Sequence, residues 1–112
     1  MATTKRPPTT KSADASKSEA GAAPFTTVLL VRHGQTPTTG KVLPGRAKGL
    51  HLADEGRRQA DIAAARIAEL KRVDAVYSSP LERAKETAAP ISSARGVRTQ
   101  IDRGLLECDF GD

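Results

Sequence analysis

The 112-residue sequence predicts an α/β domain built on a parallel sheet, and three features carry that expectation. Thr26–Val31 is an apolar, β-branched run without alternation, the pattern of a strand buried on both faces. Segments of strand and helix character then follow in the order strand, helix, strand, helix, strand. After residue 52 the links between them are short, as in βαβ connections.

The elements follow in chain order. Residues 1–24 are Thr, Ser, Ala, Pro and Lys with no large apolar side chain after Met1, so they bury too little surface to offset their ordering entropy. They are expected to be a disordered basic tail, leaving 25–112 as the folded domain, long enough for a small core. Thr26–Val31 is the first strand. Residues 32–52 hold four glycines, two prolines and three threonines, too many breakers for regular structure. A loop longer than about 12–15 residues inside a compact domain is usually functional. The spacing of Ile62, Ala63, Arg66, Ile67 and Leu70 predicts a helix over 53–72, with Asp54 placed to cap it. Residues 75–77 read as a second strand, and Ser78-Ser79-Pro80 as a turn into a second helix over 81–93. Pro80 suits the first turn of that helix, and Pro90 should end or kink it near Ala89. Residues 97–101 read as a third strand, and LLECDFGD as a closing loop.

The formal net charge is +5, of which residues 1–24 supply +2. Such a balance suits nucleic acid, an anionic membrane surface or a phosphorylated small substrate. Three aromatics, Phe25, Tyr77 and Phe110, are too few for base-stacking platforms, so no specific nucleic-acid partner is expected. A single cysteine, Cys108, excludes an internal disulfide and offers no metal-ligand spacing; a reducing compartment fits. The start of the chain lacks the apolar core of a signal peptide, and no run approaches the length of a membrane span. A cytoplasmic protein without a membrane partner is the expectation.

In open α/β sheets ligands bind beyond the carboxyl ends of the strands. That rule gathers Arg32-His33-Gly34, Ser78 to Arg83, and Glu107 on one rim. Arginine's planar fork binds phosphate oxygens bidentately, so Arg32 and Arg83 together make an oxyanion clamp. Between them, a neutral His33 imidazole is able to attack phosphorus, Gly34 lets the backbone approach closely, and a Glu107 carboxylic acid is able to protonate a leaving oxygen.

The blocks VRHGQT, LHLADEGRRQA, YSSPLERAKETA and LLECDFG, in that order from Val28 to Gly111, resemble the histidine phosphatase superfamily, the phosphoglycerate mutase-like family. The resemblance implies a three-layer α/β/α sandwich with a mainly parallel sheet, and phosphate chemistry through a phosphohistidine without metal or cofactor. It implies His33 as nucleophile, Arg32 and Arg83 as phosphate ligands, Glu107 as proton donor, and Gln35 and Thr36 on the pocket wall. Many members carry Asn where this chain has Thr39. The family also uses a second, late histidine and runs on beyond the LLECDFG block, whereas this chain has only His33 and His51. It therefore reads as the N-terminal portion of such a domain. The short RHGQTPTTG loop favours a phosphatase acting on a small phosphorylated metabolite over a mutase. The alternative is an inactive truncated remnant or a phosphate-binding module.

Plainer roles stand beside these. Arg83 reads alternatively as a helix-face charge paired with Glu82 or Glu86. His51 reads as a packing, surface or substrate-rim residue, Arg46 as solvated or touching an anionic substrate, Arg57 and Arg58 as solvated, and Cys108 as partly buried.

Overall fold

The computed structural model describes residues 25–109. The expected tail over 1–24 and the last three residues of the closing loop lie outside them. The chain divides into two units, Met1–Arg32 and His33–Asp112.

In the first unit the expected strand is not formed. Residues 25–32 carry no regular structure and are exposed throughout, Val28 at 71% and Leu30 at 83%. An apolar run becomes a central strand only when neighbouring strands take up its N–H and C=O groups and other layers cover its faces. Among the described residues the sheet has two strands, and both lie after residue 75.

The second unit holds the regular elements: α1 (Asp54–Ala68), β1 (Val76–Ser78), α2 (Glu82–Arg95), β2 (Thr99–Ile101) and a 3-10 turn over Arg103–Leu105. The two strands pair in parallel with Val76 opposite Thr99 and Ser78 opposite Ile101, so β1, α2 and β2 form one βαβ unit. Asp102 N–H extends the ladder by donating to the Ser78 carbonyl at 2.8 Å. Helix α2 packs on both strands and on α1. The parallel α/β reading is thereby realised.

Helix α1 starts without a side-chain cap: Ala53 is the N-cap, and Asp54 lies in the first turn beside Glu55, where acidic charge complements the helix dipole. Its buried face is the small-residue series Gly56, Ala60 and Ala64, four residues apart. The helix ends four residues before the sequence pattern suggested. Arg95 of α2 donates to the carbonyls of Ala68 and Leu70, both at 2.9 Å, and so satisfies acceptors that a longer helix would have used itself.

Helix α2 starts one residue later than expected, after Leu81, and runs through Pro90 to Arg95. Pro90 removes one backbone bond, to the Glu86 carbonyl, but Ala88, Ile91 and Ser92 are buried around it and hold the helical path. The stop signal is Gly96. At φ 67° it closes a Schellman motif in which Val97 N–H bonds the Ser92 carbonyl at 3.1 Å and Gly96 N–H bonds that of Ser93 at 3.3 Å.

Candidate active site

The loop over 33–52 is built onto the two helices by polar contacts. Gly34 N–H donates to Thr87 Oγ1 at 3.0 Å, and that hydroxyl donates in turn to the Arg83 carbonyl at 2.8 Å. The histidine turn and the SPLERAKET segment are therefore joined by one buried hydroxyl. Gly34 also lies against the start of α1. A Cβ on it would sit 2.4 Å from the Gly56 carbonyl oxygen, and a Cβ on Gly56 only 2.0 Å from that of Gln35. Both positions admit glycine alone without backbone movement. Ala53 N–H bonds the Gln35 carbonyl at 2.9 Å and fixes the same approach.

His33 is half-buried, with Nδ1 2.7 Å from the carbonyl oxygen of Gly34. A carbonyl only accepts, so Nδ1 carries the proton and the Nε2 lone pair is left free. Thr36 is buried: its N–H donates to Thr39 Oγ1 at 2.8 Å, and the two hydroxyls lie 3.0 Å apart. Thr39 thus supplies a side-chain acceptor inside the loop. Gln35 is exposed and paired with Gln59, which accepts from its N–H at 3.0 Å and donates to its Oε1 at 3.3 Å.

Arg83 is the most buried large side chain, 2% exposed. It pairs with neither Glu82 nor Glu86. Its guanidinium reaches into the loop, one terminal nitrogen donating to the Gly45 carbonyl at 2.6 Å and the other to that of Ala47 at 3.1 Å. Three of its five N–H donors remain: Nε–H and one on each terminal nitrogen.

Glu107 is exposed, with its carboxylate accepting from Cys108 N–H at 2.9 Å and its carbonyl accepting from Arg46 Nε at 2.8 Å. Arg46 is accordingly a tie between the loop and the chain after β2. Cys108 is exposed, not partly buried, as are Glu107 and Asp109 on either side of it. Arg32 closes the first unit and is exposed.

His51 faces the Glu86 carboxylate, whose other oxygen accepts from Leu52 N–H at 2.8 Å and lies 3.8 Å from an Arg57 nitrogen. Burial opposes ionisation of Glu86, but the hydrogen bonds from His51 and Leu52 and the charges of His51 and Arg57 outweigh it and hold the carboxyl below its ordinary range. The Glu82 carboxyl is also lowered, chiefly by its own N–H and that of Gly49. Arg58 pairs with Glu55 one turn back. Among the described residues no cluster of His, Cys, Asp and Glu is arranged to hold a metal ion, and no helix is long and apolar enough to cross a membrane.

Thr87, Gly56 and Glu86 organise this region; the sequence pointed to Glu86 only as an ion-pair partner for Arg83, and to Thr87 and Gly56 not at all. Gly56 lies in the LADEG block with no local turn to reveal it, and Glu86 and Thr87 read as ordinary residues of a helix face. Their roles depend on partners 21 to 53 positions away, as with Gly34 and Thr87.

Residues 28–112 match the family model of the histidine phosphatase superfamily, branch 1. An uncharacterized protein of Mycobacterium tuberculosis is 40% identical over 82 residues, 73% of this chain and 40% of that protein. Among solved structures, mycobacterial glucosyl-3-phosphoglycerate phosphatase is similar with a TM-score of 0.65 and 32% identity, over 71% of this chain and 37% of the other. Phosphoserine phosphatase of Entamoeba histolytica, in complex with 3-phosphoglyceric acid, has a TM-score of 0.56 and 33% identity over 70% of this chain and 38% of the other. The chain spans about two fifths of the length of each of these three proteins.

Proposed function

The chain belongs to the histidine phosphatase superfamily, branch 1, and on that premise we propose that it serves phosphomonoester hydrolysis on a small phosphorylated metabolite, through a phosphohistidine formed on His33. The observation that carries this reading is the bond from His33 Nδ1–H to the Gly34 carbonyl, with Gly34 itself held by Thr87. It fixes the tautomer and the ring, and leaves Nε2 as a lone pair that needs no base to activate it. The phosphatases of glucosyl-3-phosphoglycerate and phosphoserine among its structural relatives support a compact phosphorylated metabolite as substrate.

The reaction then runs in two displacements. The Nε2 lone pair forms an N–P bond as the ester P–O bond breaks, and the departing alkoxide takes the proton of the Glu107 carboxylic acid. Water attacks the phosphohistidine, Glu107 takes its proton back, and the N–P electron pair returns to Nε2. The remaining donors of Arg83 meet the phosphoryl oxygens, with Gln35 and Thr36 beside them. One observation favours a second reading, a phosphate-binding module without turnover: His51, the other histidine of these residues, is taken up by Glu86.

Acid-labile phosphate labelling separates the two readings. Incubated with a generic labelled phosphomonoester, the chain is expected to take up one acid-labile phosphate that His33→Ala abolishes. Binding of inorganic phosphate without label supports the module instead, and label retained in His33→Ala removes His33 as the nucleophile.

A further inference from the structure

The loop over 45–52 is held chiefly from the first turns of α2, with one further tie from Arg46 Nε to the Glu107 carbonyl. Arg83 binds the carbonyls of Gly45 and Ala47, and Glu86 takes Leu52 N–H with one oxygen and His51 with the other. From Arg46 to Gly49 the side chains are exposed; the apolar anchors are half-buried Leu50 and buried Leu52, at the end of the segment. Gly45 and Gly49 have φ of 55° and 77°, and Gly40, just upstream, 83°. Such a segment has little apolar burial to lose on release and has backbone joints suited to swinging.

Two further observations bear on its closed position. Arg83 is 2% exposed, so while its terminal nitrogens hold Gly45 and Ala47 no phosphate has an open path to them. In the same turn Glu82 Oε1 is buried and accepts no hydrogen bond from the described residues.

We propose that residues 45–52 are a strap, that Glu86 is the positioning residue latching it to α2, and that its release gives a bound phosphate group access to Arg83. The last clause rests on the phosphatase reading; the latch does not. Phosphate and the Gly45 and Ala47 carbonyls then compete for one guanidinium, so phosphate favours the open strap, and by reciprocity anything that loosens the strap tightens phosphate binding. The affinity gain equals the gain in open fraction while opening stays rare.

The test uses the full chain. Amide exchange at Leu52 and tryptic cleavage after Arg46 and Lys48 report the strap, and titration with inorganic phosphate reports the guanidinium. In Glu86→Ala both strap signals are expected to rise about tenfold with the amides of α1 unchanged, and phosphate affinity to rise by up to the same factor. Glu86→Gln keeps an acceptor for Leu52 N–H, gives up the charge facing His51, and should fall between, near threefold. Saturating phosphate should raise strap cleavage in the wild type. Strap signals in Glu86→Ala equal to wild type overturn the latch; if that variant loses cooperative unfolding, wild-type exchange in Glu86→Gln does so instead. A loosened strap with weaker phosphate binding overturns the gating, since the strap would then build the site. Absence of any phosphate binding sinks the phosphatase reading and leaves the strap signals to decide the latch.

Discussion

Residues 25–31 and residues 78–92 reverse the usual relation between polarity and burial. The first segment holds Phe25, Val28, Leu29, Leu30 and Val31, all exposed. The second holds Ser78, Ser79, Arg83, Thr87 and Ser92, all buried. Hydropathy alone would exchange them. The difference lies in what each segment has to pair with. In the second, every one of those polar side chains has a partner: the Ser78 hydroxyl donates to the Ser79 carbonyl, the Ser79 hydroxyl accepts from Leu81 N–H, Arg83 holds two carbonyls, Thr87 bridges Gly34 and Arg83, and Ser92 meets Thr99. Buried polar groups are tolerable when satisfied and costly when not, and here satisfied polar groups organise the interior. The apolar side chains buried with them are few and mostly small: Leu52, Ala60, Ala64, Leu81, Ala88 and Ile91.

If that contrast is right, the largest loss of stability comes from a polar residue. Arg83→Ala removes two charge-assisted hydrogen bonds, strips the Gly45 and Ala47 carbonyls of donors and leaves a void, and should cost about 4 kcal/mol. The midpoint of urea unfolding measures it, and a loss below about 1 kcal/mol would mean that the guanidinium contributes little to the interior. Next comes Gly56→Ala. Its Cβ would lie 2.0 Å from a backbone oxygen, which cannot rotate away as a side chain would, so about 3 kcal/mol is expected despite alanine's better helix propensity. Unchanged stability there would show that α1 shifts outward at small cost.

What the sequence made legible follows the same division. Signals carried by the local pattern were readable: the period of α1 and the alternation of the βαβ unit. The ends of the helices were less so, because α1 stops where Arg95 from another helix takes its carbonyls, and α2 continues past Pro90 to the αL residue Gly96. The apolar run of Thr26–Val31 shows the limit from the other side: strand propensity is local, but a ladder partner is not. In the site, the motif positions of His33 and Arg83 were visible in the primary sequence. The hydrogen bonds from Arg83 to the strap and from Glu86 to Leu52 were not, since they join residues 34 to 38 positions apart.

Acid should act on the polar interior in a predictable sense. The folded Glu86 carboxyl titrates below its ordinary value of 4.5, so its contribution is present in full above that value and is lost as pH falls through the lower, folded one. The groups facing it are His51 and Leu52 N–H from the loop and Arg57 from α1. The stability gap between the wild type and Glu86→Gln is therefore expected to close as pH falls below 4.5. A gap that widened on acidification below pH 4.5 would reverse the assigned direction.

The smallest effect belongs to the exposed apolar run, and it is the one that tests the comparison most directly. A leucine packed in a core loses about 2–5 kcal/mol on truncation, because its transfer energy and the cavity left behind both count. Leu30, at 83% exposure, has neither contribution to give, so Leu30→Ser should change stability by no more than about 0.5 kcal/mol. Ile91→Ala is the matched control: buried on the face that α2 turns inward, it should cost about 3 kcal/mol in the same denaturant titration. The ratio of the two losses carries the information, since both variants remove aliphatic surface and differ mainly in what surrounded it. A loss above about 1 kcal/mol for Leu30→Ser would place the apolar run against other protein in solution, and the division between an exposed apolar segment and a buried polar one would then fail at its apolar end.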